Sequence, residues 1–263
     1  MDIFLDIPTE VEIADLRKQI FDLTSTYKTD IALQVDDVYR KNKRLIVFDM
    51  DSTLIQQEVI DEIARHAGVV KEVSAITASA MNGEINFQES LAKRVALLKG
   101  LSTDIFDEIK KVITFTPGAH NLCRALKNLG YKLAVCSGGF VPLANYIKNE
   151  LGLDFAYANN LAISEDGKQL EGKTYGPIVD GSRKAELLGA ISQLEHLIPE
   201  QTIAVGDGAN DLLMMSKAGL GVAFNAKPRV QEQAPTRINQ PSLENVLYLL
   251  GYSDEEISTI LRY

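Results

Sequence analysis

The stretch that most constrains this chain is Arg44-Leu-Ile-Val-Phe-Asp-Met-Asp-Ser-Thr53. Its four consecutive apolar residues, with β-branched members, predict a short strand buried on both faces, as in a parallel sheet. The run ends in carboxylates. Side chains at i and i+2 of an extended chain point the same way, so Asp49 and Asp51 leave the sheet edge together. In open parallel sheets that edge, outside the carboxyl ends of the strands, is where ligands bind. A bare Asp-x-Asp is more often a turn that caps the next helix. An EF-hand loop could also use these two carboxylates as its first ligands, but it needs Gly sixth and Glu twelfth, where this chain has Leu54 and Ile60.

A chain of 263 residues has room for one large domain, or for a core with a smaller inserted or appended unit. No apolar run approaches the roughly 18 residues of a membrane-spanning helix. The start, Met1-Asp-Ile-Phe-Leu-Asp-Ile-Pro8, lacks the basic flank and apolar core of a signal peptide, so a cytoplasmic location is expected. Cys123 and Cys136 are too few for a disulfide framework and are expected as reduced core thiols. A net charge of -9 argues against nucleic acid and anionic membranes as partners.

In chain order, a capping box at Thr9-Glu-Val-Glu12 and the spacing of Ile13, Leu16, Ile20 and Leu23 predict a helix to about Tyr27. A short strand over 30–35 and a charged connection over 36–44 follow. Such a segment, 1–44, cannot bury a core alone and must dock on the main body or on a second copy, which leaves a homodimer open. Residues 55–115 show only helical periods: about 57–66, 70–81, a third helix opened by the cap-like pair Asn86 and Glu89, and 102–113. This helical module sits between two strands and reads as a lid. Beyond it, a helix opened by Pro117 leads to a strand over 132–136 that runs into Ser137-Gly138-Gly139, then a helix to Leu151, a strand over 155–158 and a hairpin over 161–175. A helix starts at Ser182, strands follow at 202–205 and 221–224, and helices over 243–250 and from a capping box at Ser253 and Glu256 close the chain. Strands alternating with helices predict an α/β fold with a Rossmann-like parallel sheet. Its core is 45–54 with 116–263, its helical cap is 55–115, and 1–44 is an extension.

Four sets of polar residues fall after strands or at a helix start: Asp49 and Asp51, Ser137, Lys184, and Asp207 with Asp211. In order and spacing they resemble the four motifs of the haloacid dehalogenase-like phosphohydrolases. Their charge balance is informative without that likeness. Two carboxylates 4 Å apart repel by roughly 4 kcal/mol at an effective dielectric of 20, so four converging acids need compensation. Hard oxygen ligands beside a phosphate favour Mg²⁺. Lys184, in the first turn of its helix, opposes the helix dipole at a cost of about 0.3–1 kcal/mol, which a phosphate or a phosphorylated Asp49 would offset. Taken alone, Arg183-Lys184 has a solvated surface pair as its lesser alternative, and Ser137-Gly138-Gly139 reads as a plain turn or a phosphate seat.

The resemblance implies that Asp49 is a nucleophile and Asp51 a general acid and base, that Asp49, the main-chain carbonyl of Asp51 and Asp207 hold the metal, and that Asp211 holds its waters or orients Lys184. Asn210 would touch substrate. Within the cap, Arg94 stands on the apolar stripe of Leu91 and Leu98, where a guanidinium needs an anion, either a cap carboxylate (Glu58, Glu62 or Glu84) or a substrate. The stretches Glu58-Val-Ile-Asp-Glu62, Ala80-Met81-Asn-Gly83, Asn86-Phe87 and Lys93-Arg94-Val95, with Ser137-Gly-Gly-Phe140 and Val205-Gly-Asp-Gly-Ala-Asn-Asp211, resemble the phosphoserine-hydrolysing branch of that superfamily. That likeness implies Arg94 on the substrate carboxylate, Glu58 on its ammonium, Met81 and Phe87 as shields, and Ser137, Gly138, Gly139 and Lys184 on phosphate. Longer members carry regulatory ACT-like modules, of which 1–44 resembles only a last helix and strand, which puts feedback control by a bound amino acid in doubt. Transfer of the phosphoryl group to an alcohol such as homoserine is the alternative reaction. A non-catalytic binding module is disfavoured, because all of the motif residues are present.

Overall fold

Leu45–Phe48 forms the predicted strand, β1, and all four of its side chains are at 0% exposure. The structure, a computed structural model, describes residues 2–8, 10–27 and 29–262. Alternation along β1 explains the unbroken apolar run. Ile46 and Phe48 enter one hydrophobic cluster and Leu45 and Val47 the other, on opposite faces of the sheet.

The remaining strands are β2 (Lys132–Phe140), β3 (Phe155–Ile163), β4 (Leu170–Tyr175), β5 (Thr202–Gly206), β6 (Leu220–Phe224) and β7 (Thr236–Ile238). They form one sheet in the order β4-β3-β2-β1-β5-β6-β7, parallel except for the β3–β4 hairpin. The Rossmann-like α/β expectation is met. Phe48 is in register with Val135 of β2 and Val205 of β5, so the polar residues that follow these strands emerge at one edge.

Helices α1 (Ile13–Tyr27), α2 (Val59–Ala67), α3 (Val70–Met81), α4 (Phe87–Ala96), α5 (Ile105–Val112), α6 (Ala119–Asn128), α7 (Val141–Leu151), α8 (Gly181–Leu194), α9 (Leu212–Lys217), α10 (Pro228–Gln233), α11 (Val246–Leu249) and α12 (Asp254–Ile260) surround it. None is long and apolar enough to cross a membrane. The capping boxes expected at Asn86 and Ser253 are present, whereas that at Thr9 lies outside the described residues. Helices α2 to α5 fall between β1 and β2. Their return to the core is fixed by the hairpin, where Gly100 N donates to Leu170 O (2.8 Å) and Leu170 N to Leu101 O (2.9 Å).

Three differences from the expected elements have physical causes. Residues 30–35 are not a strand: their links to the body run through side chains rather than a backbone ladder. Asp30 accepts from the backbone amides of Asn239 (2.8 Å) and Gln240 (3.2 Å), and Gln34 Nε2 donates to Leu249 O (2.7 Å). β7 was not foreseen, since three residues after a proline show no period. Leu243–Leu250 divides into a short tight turn and the single turn of α11. Of the two dockings foreseen for the N-terminal segment, the chain itself supplies the first: Lys43 Nζ donates to Glu200 O (2.6 Å), and Lys41 pairs with Glu256 (2.9 Å).

Candidate active site

At the end of β1 the Asp49 amide continues the ladder to Val205 O (2.8 Å), while its side-chain Oδ1 accepts from Met50 N (2.7 Å). The chain then turns over Met50–Leu54, with Ser52 in the left-handed region at φ 54°. Ser52 Oγ donates to Glu58 Oε1 (2.7 Å), which draws the start of α2 towards the acids. A non-glycine residue at positive φ is a strained feature of the kind that collects at functional sites.

Lys184 lies in the first turn of α8 at 0% exposure, and its Nζ stands 2.7 Å from both Asp49 Oδ1 and Asp211 Oδ1. Burial alone would lower its pKa; the Asp211 and Asp49 charges overcome this and raise it. Asp211 is completed by Gly208 N donating to Oδ2 (3.0 Å). This close return explains Gly206, where a Cβ would stand 2.4 Å from the Asp211 carboxyl. Thr53 Oγ1 donates to Asp207 Oδ1 (3.3 Å). The structure thus brings Asp49, Asp207, Asp211 and Lys184 together.

These acids are short of positive charge. Burial pushes Asp49 and Asp51 well above the usual carboxylate range, and burial with the Asp211 and Glu58 charges carries Asp207 up to about 7. Oxygens of Asp49, Asp207 and Asp211 all lie within 4.8 Å of one another. Asp51 Oδ1 is buried without a hydrogen-bond partner. An all-oxygen donor set with one ammonium and an orphaned carboxylate oxygen fits a hard divalent cation.

Ser137 follows in β2, 1% exposed, its Oγ accepting from Gly139 N (2.8 Å). A Cβ on Gly139 would lie 3.0 Å from Ser137 Oγ and 3.6 Å from Asp51 Oδ2, so the first and second motifs are adjacent. The strand continues through both glycines to Phe140, with a register shift against β3, rather than breaking at Ser137. Asn159, which the sequence reading missed, braces this stretch: Nδ2 donates to Gly138 O (2.9 Å), and Oδ1 accepts from Val179 N (2.8 Å).

The cap side of the site is carried by α4. A Cβ on Gly138 would sit 3.0 Å from the Phe87 ring, which places that ring over the Ser137-Gly138-Gly139 stretch. Gln88 Nε2 donates to Asp180 Oδ2 (3.0 Å), while Asp180 Oδ1 caps α8 by accepting from Arg183 N (2.9 Å). The sequence holds a signal for that cap, Asp180-Gly-Ser before an apolar-periodic run, which moves the helix start one residue ahead of Ser182. A cleft of about 530 Å³ between α4 and the core is lined by Phe87, Gln88, Asp180 and Asn210, among others.

Arg94 is half-buried on α4, with Nε donating to Ser90 O (3.4 Å). Burial lowers its pKa, opposed by the Asp61, Glu58 and Asp51 charges. Among the described residues no carboxylate lies within 4.0 Å of its guanidinium. The three candidate acids are engaged elsewhere: Glu58 with Ser52, Glu62 with Arg65, Glu84 with Asn82. Met81 ends α3 at 66% exposure and is not drawn into the site.

A parallel sheet with paired acids after β1, a hydroxyl in β2, a buried lysine on α8 and acids after β5 defines a phosphohydrolase-type α/β enzyme fold. Residues 43–219 match the haloacid dehalogenase-like hydrolase family model, and the chain belongs to that family. It is 54% identical over 239 residues to a probable phosphoserine phosphatase of Schizosaccharomyces pombe, covering 91% of this chain and 80% of the relative. It is 48% identical over 258 residues to the phosphoserine phosphatase of Saccharomyces cerevisiae, covering 97% and 83%. A solved phospho-aspartyl intermediate analogue of phosphoserine phosphatase is similar at a TM-score of 0.73 and 48% identity, over 79% of this chain and 98% of that one.

Proposed function

We propose that this chain is a phosphoserine phosphatase that hydrolyses O-phospho-L-serine through a phosphorylated Asp49, in the last step of serine biosynthesis. The observation that carries the reading is the buried Lys184 ammonium bridging Asp49 and Asp211, with Asp51 beside them, in a chain so similar to proteins of that name. Lys184 and Met50 N hold Asp49 by Oδ1, which leaves Oδ2 as the attacking atom. In the first step Oδ2 bonds to phosphorus, the bond from phosphorus to the serine oxygen breaks, and the proton on Asp51 passes to that oxygen. An acid raised by burial suits this role. In the second step Asp51 takes a proton from water, the water oxygen bonds to phosphorus, and the acyl phosphate bond breaks to restore Asp49.

Asp49, the Asp51 carbonyl and Asp207 would hold Mg²⁺, which when bound supplies positive charge beside the phosphate oxygens. Asp211 orients Lys184, and Ser137 with the Gly138–Gly139 backbone and Asn210 seats the phosphate. Residues 55–115 act as the cap over a core of 45–54 and 116–263. Arg94, with no partner acid among the described residues, takes the substrate carboxylate and Glu58 the ammonium, while Phe87 closes over the phosphate seat with Met81 further out. A carboxylate, an ammonium and a phosphate are each answered.

The cytoplasm is the proposed compartment, where the buried free thiols of Cys123 and Cys136 stay reduced. Exposed Ile3, Phe4, Leu5 and Val35 support a homodimer, which light scattering returning 29.0 kDa would remove.

The test is phosphate release from L-phosphoserine, phosphothreonine, phosphoethanolamine and an aryl phosphate, with Mg²⁺ and with chelator, and with homoserine as added acceptor. Mg²⁺-dependent preference for phosphoserine is expected. Equal rates across the panel would sink the substrate assignment, and phosphohomoserine as main product would make the enzyme a transferase.

A further inference from the structure

On the far side of the sheet from the hairpin, α1 and residues 31–33 meet α10 and β7 around a cavity of about 610 Å³. Arg237 of β7 lines it. Alternation along this edge strand sends Ile238 into the main hydrophobic cluster and Arg237 to the opposite face, towards α1. The residue is 8% exposed. Its guanidinium lies 4.0 Å over the Phe21 ring, and Nη2 donates to Thr24 Oγ1 (3.3 Å).

What the guanidinium lacks is an anion. Nε is buried with no hydrogen-bond partner, and among the described residues no carboxylate comes within 4.0 Å. Asp30, whose charge favours the ionised form, has its carboxylate committed to Asn239 and Gln240. A buried cation answered, among the described residues, by a ring and a hydroxyl alone is incompletely compensated. If Arg237 served only to anchor α1, an apolar side chain on this face would pack the helix without that deficit. The cavity beside it falls in the size range of small-molecule sites and carries further positive charge from Arg17 and Lys18. Asp15, Asp22 and Glu232 line it as well and balance the three cations in number, so the anion's place is at Arg237 itself, and one bearing its own hydrogen-bond donors for these acids fits better than a bare inorganic one.

We propose that this cavity binds a small hydroxylated organic anion, a carboxylate or a phosphate-type group, that pairs with Arg237 and lies against Ile20 and Leu33. The ligand bridges β7 to α1 and so ties the N-terminal segment to the sheet. The site is separate from the acidic centre, since β6 stands between β7 and the strand that leads to Asp207.

The experiment is hydrogen–deuterium exchange by mass spectrometry on the full chain, with glycerate, with 2-hydroxyethylphosphonate, and with chloride at equal ionic strength. At a ligand concentration about ten times Kd, amides over 15–24 and 231–237 are expected to exchange roughly tenfold more slowly. Protection by glycerate alone assigns carboxylates, and by the phosphonate alone assigns phosphate-type anions. Arg237→Met should abolish the protection. Because that variant could also detach α1, the double variant Arg17→Ala/Lys18→Ala, at exposed positions of α1, should weaken it while leaving the apo exchange pattern unchanged. Protection confined to the acidic centre, protection equal with chloride, or protection unaltered by both variants overturns the proposal.

Discussion

Lys184 Nζ and Asp49 Oδ1 are 2.7 Å apart, with the lysine at 0% exposure and the aspartate at 6%. A charged pair this deep is held by what surrounds it: Met50 N on the aspartate, and Asp211 as a second acid on the lysine. Removing the ammonium alone would leave two buried carboxylates facing each other.

Lys184→Met is therefore expected to cost about 3–5 kcal/mol of stability, the range for stripping one partner from a buried pair. Urea denaturation checks it. Lys184→Met/Asp211→Asn, which also removes one of the stranded charges, should recover part of the loss. A single variant as stable as the parent would mean that the ammonium does not compensate these acids.

Arg94→Ala is expected to weaken phosphoserine turnover by roughly 2–5 kcal/mol in kcat/KM, as for truncation of one member of a buried charge pair. An aryl phosphate, which has no carboxylate, should lose little. Equal losses on both substrates would make Arg94 a structural residue of α4.

Asp180 joins two parts of the site, capping the helix that carries Lys184 and accepting from Gln88 of α4. Asp180→Ala should cost about 0.5–2 kcal/mol, the usual worth of an N-cap. The Arg183 amide holds its carboxyl below the ordinary value. Its stabilisation is thus fully present above the unfolded-state pKa of about 3.9 and is lost as the pH falls through the lower folded value. Stability curves of parent and variant should converge in that acid window. A gap that persists below it would assign the effect to lost packing.

The legible parts of this fold were those where local chemistry and tertiary role coincide. β1 is apolar on both faces because both faces are buried, and α4 starts where Asn86 and Glu89 cap it. The motif acids could be located because each follows a strand of a parallel sheet. The misses share another cause. Ile31, Leu33 and Val35 carry a strand-like period, yet Asp30 and Gln34 use side chains to fix the segment, so no ladder forms. Asn159 falls between the strand expected over 155–158 and the hairpin expected over 161–175; β3 instead runs on through it, and the register shift of β2 turns its amide towards Gly138. Nothing local to Gln88 or Asp180 announces that they meet, because that contact belongs to the packing of α4 on the core.

The central claim is that Asp49 becomes phosphorylated. Its most direct test is acid quench of the enzyme during turnover of ³²P-labelled phosphoserine, followed by peptide mapping. The account predicts a base-labile label on the peptide containing Asp49, absent from Asp49→Asn, which should also be inactive. Undiminished turnover in Asp49→Asn, or label on another residue, would contradict it.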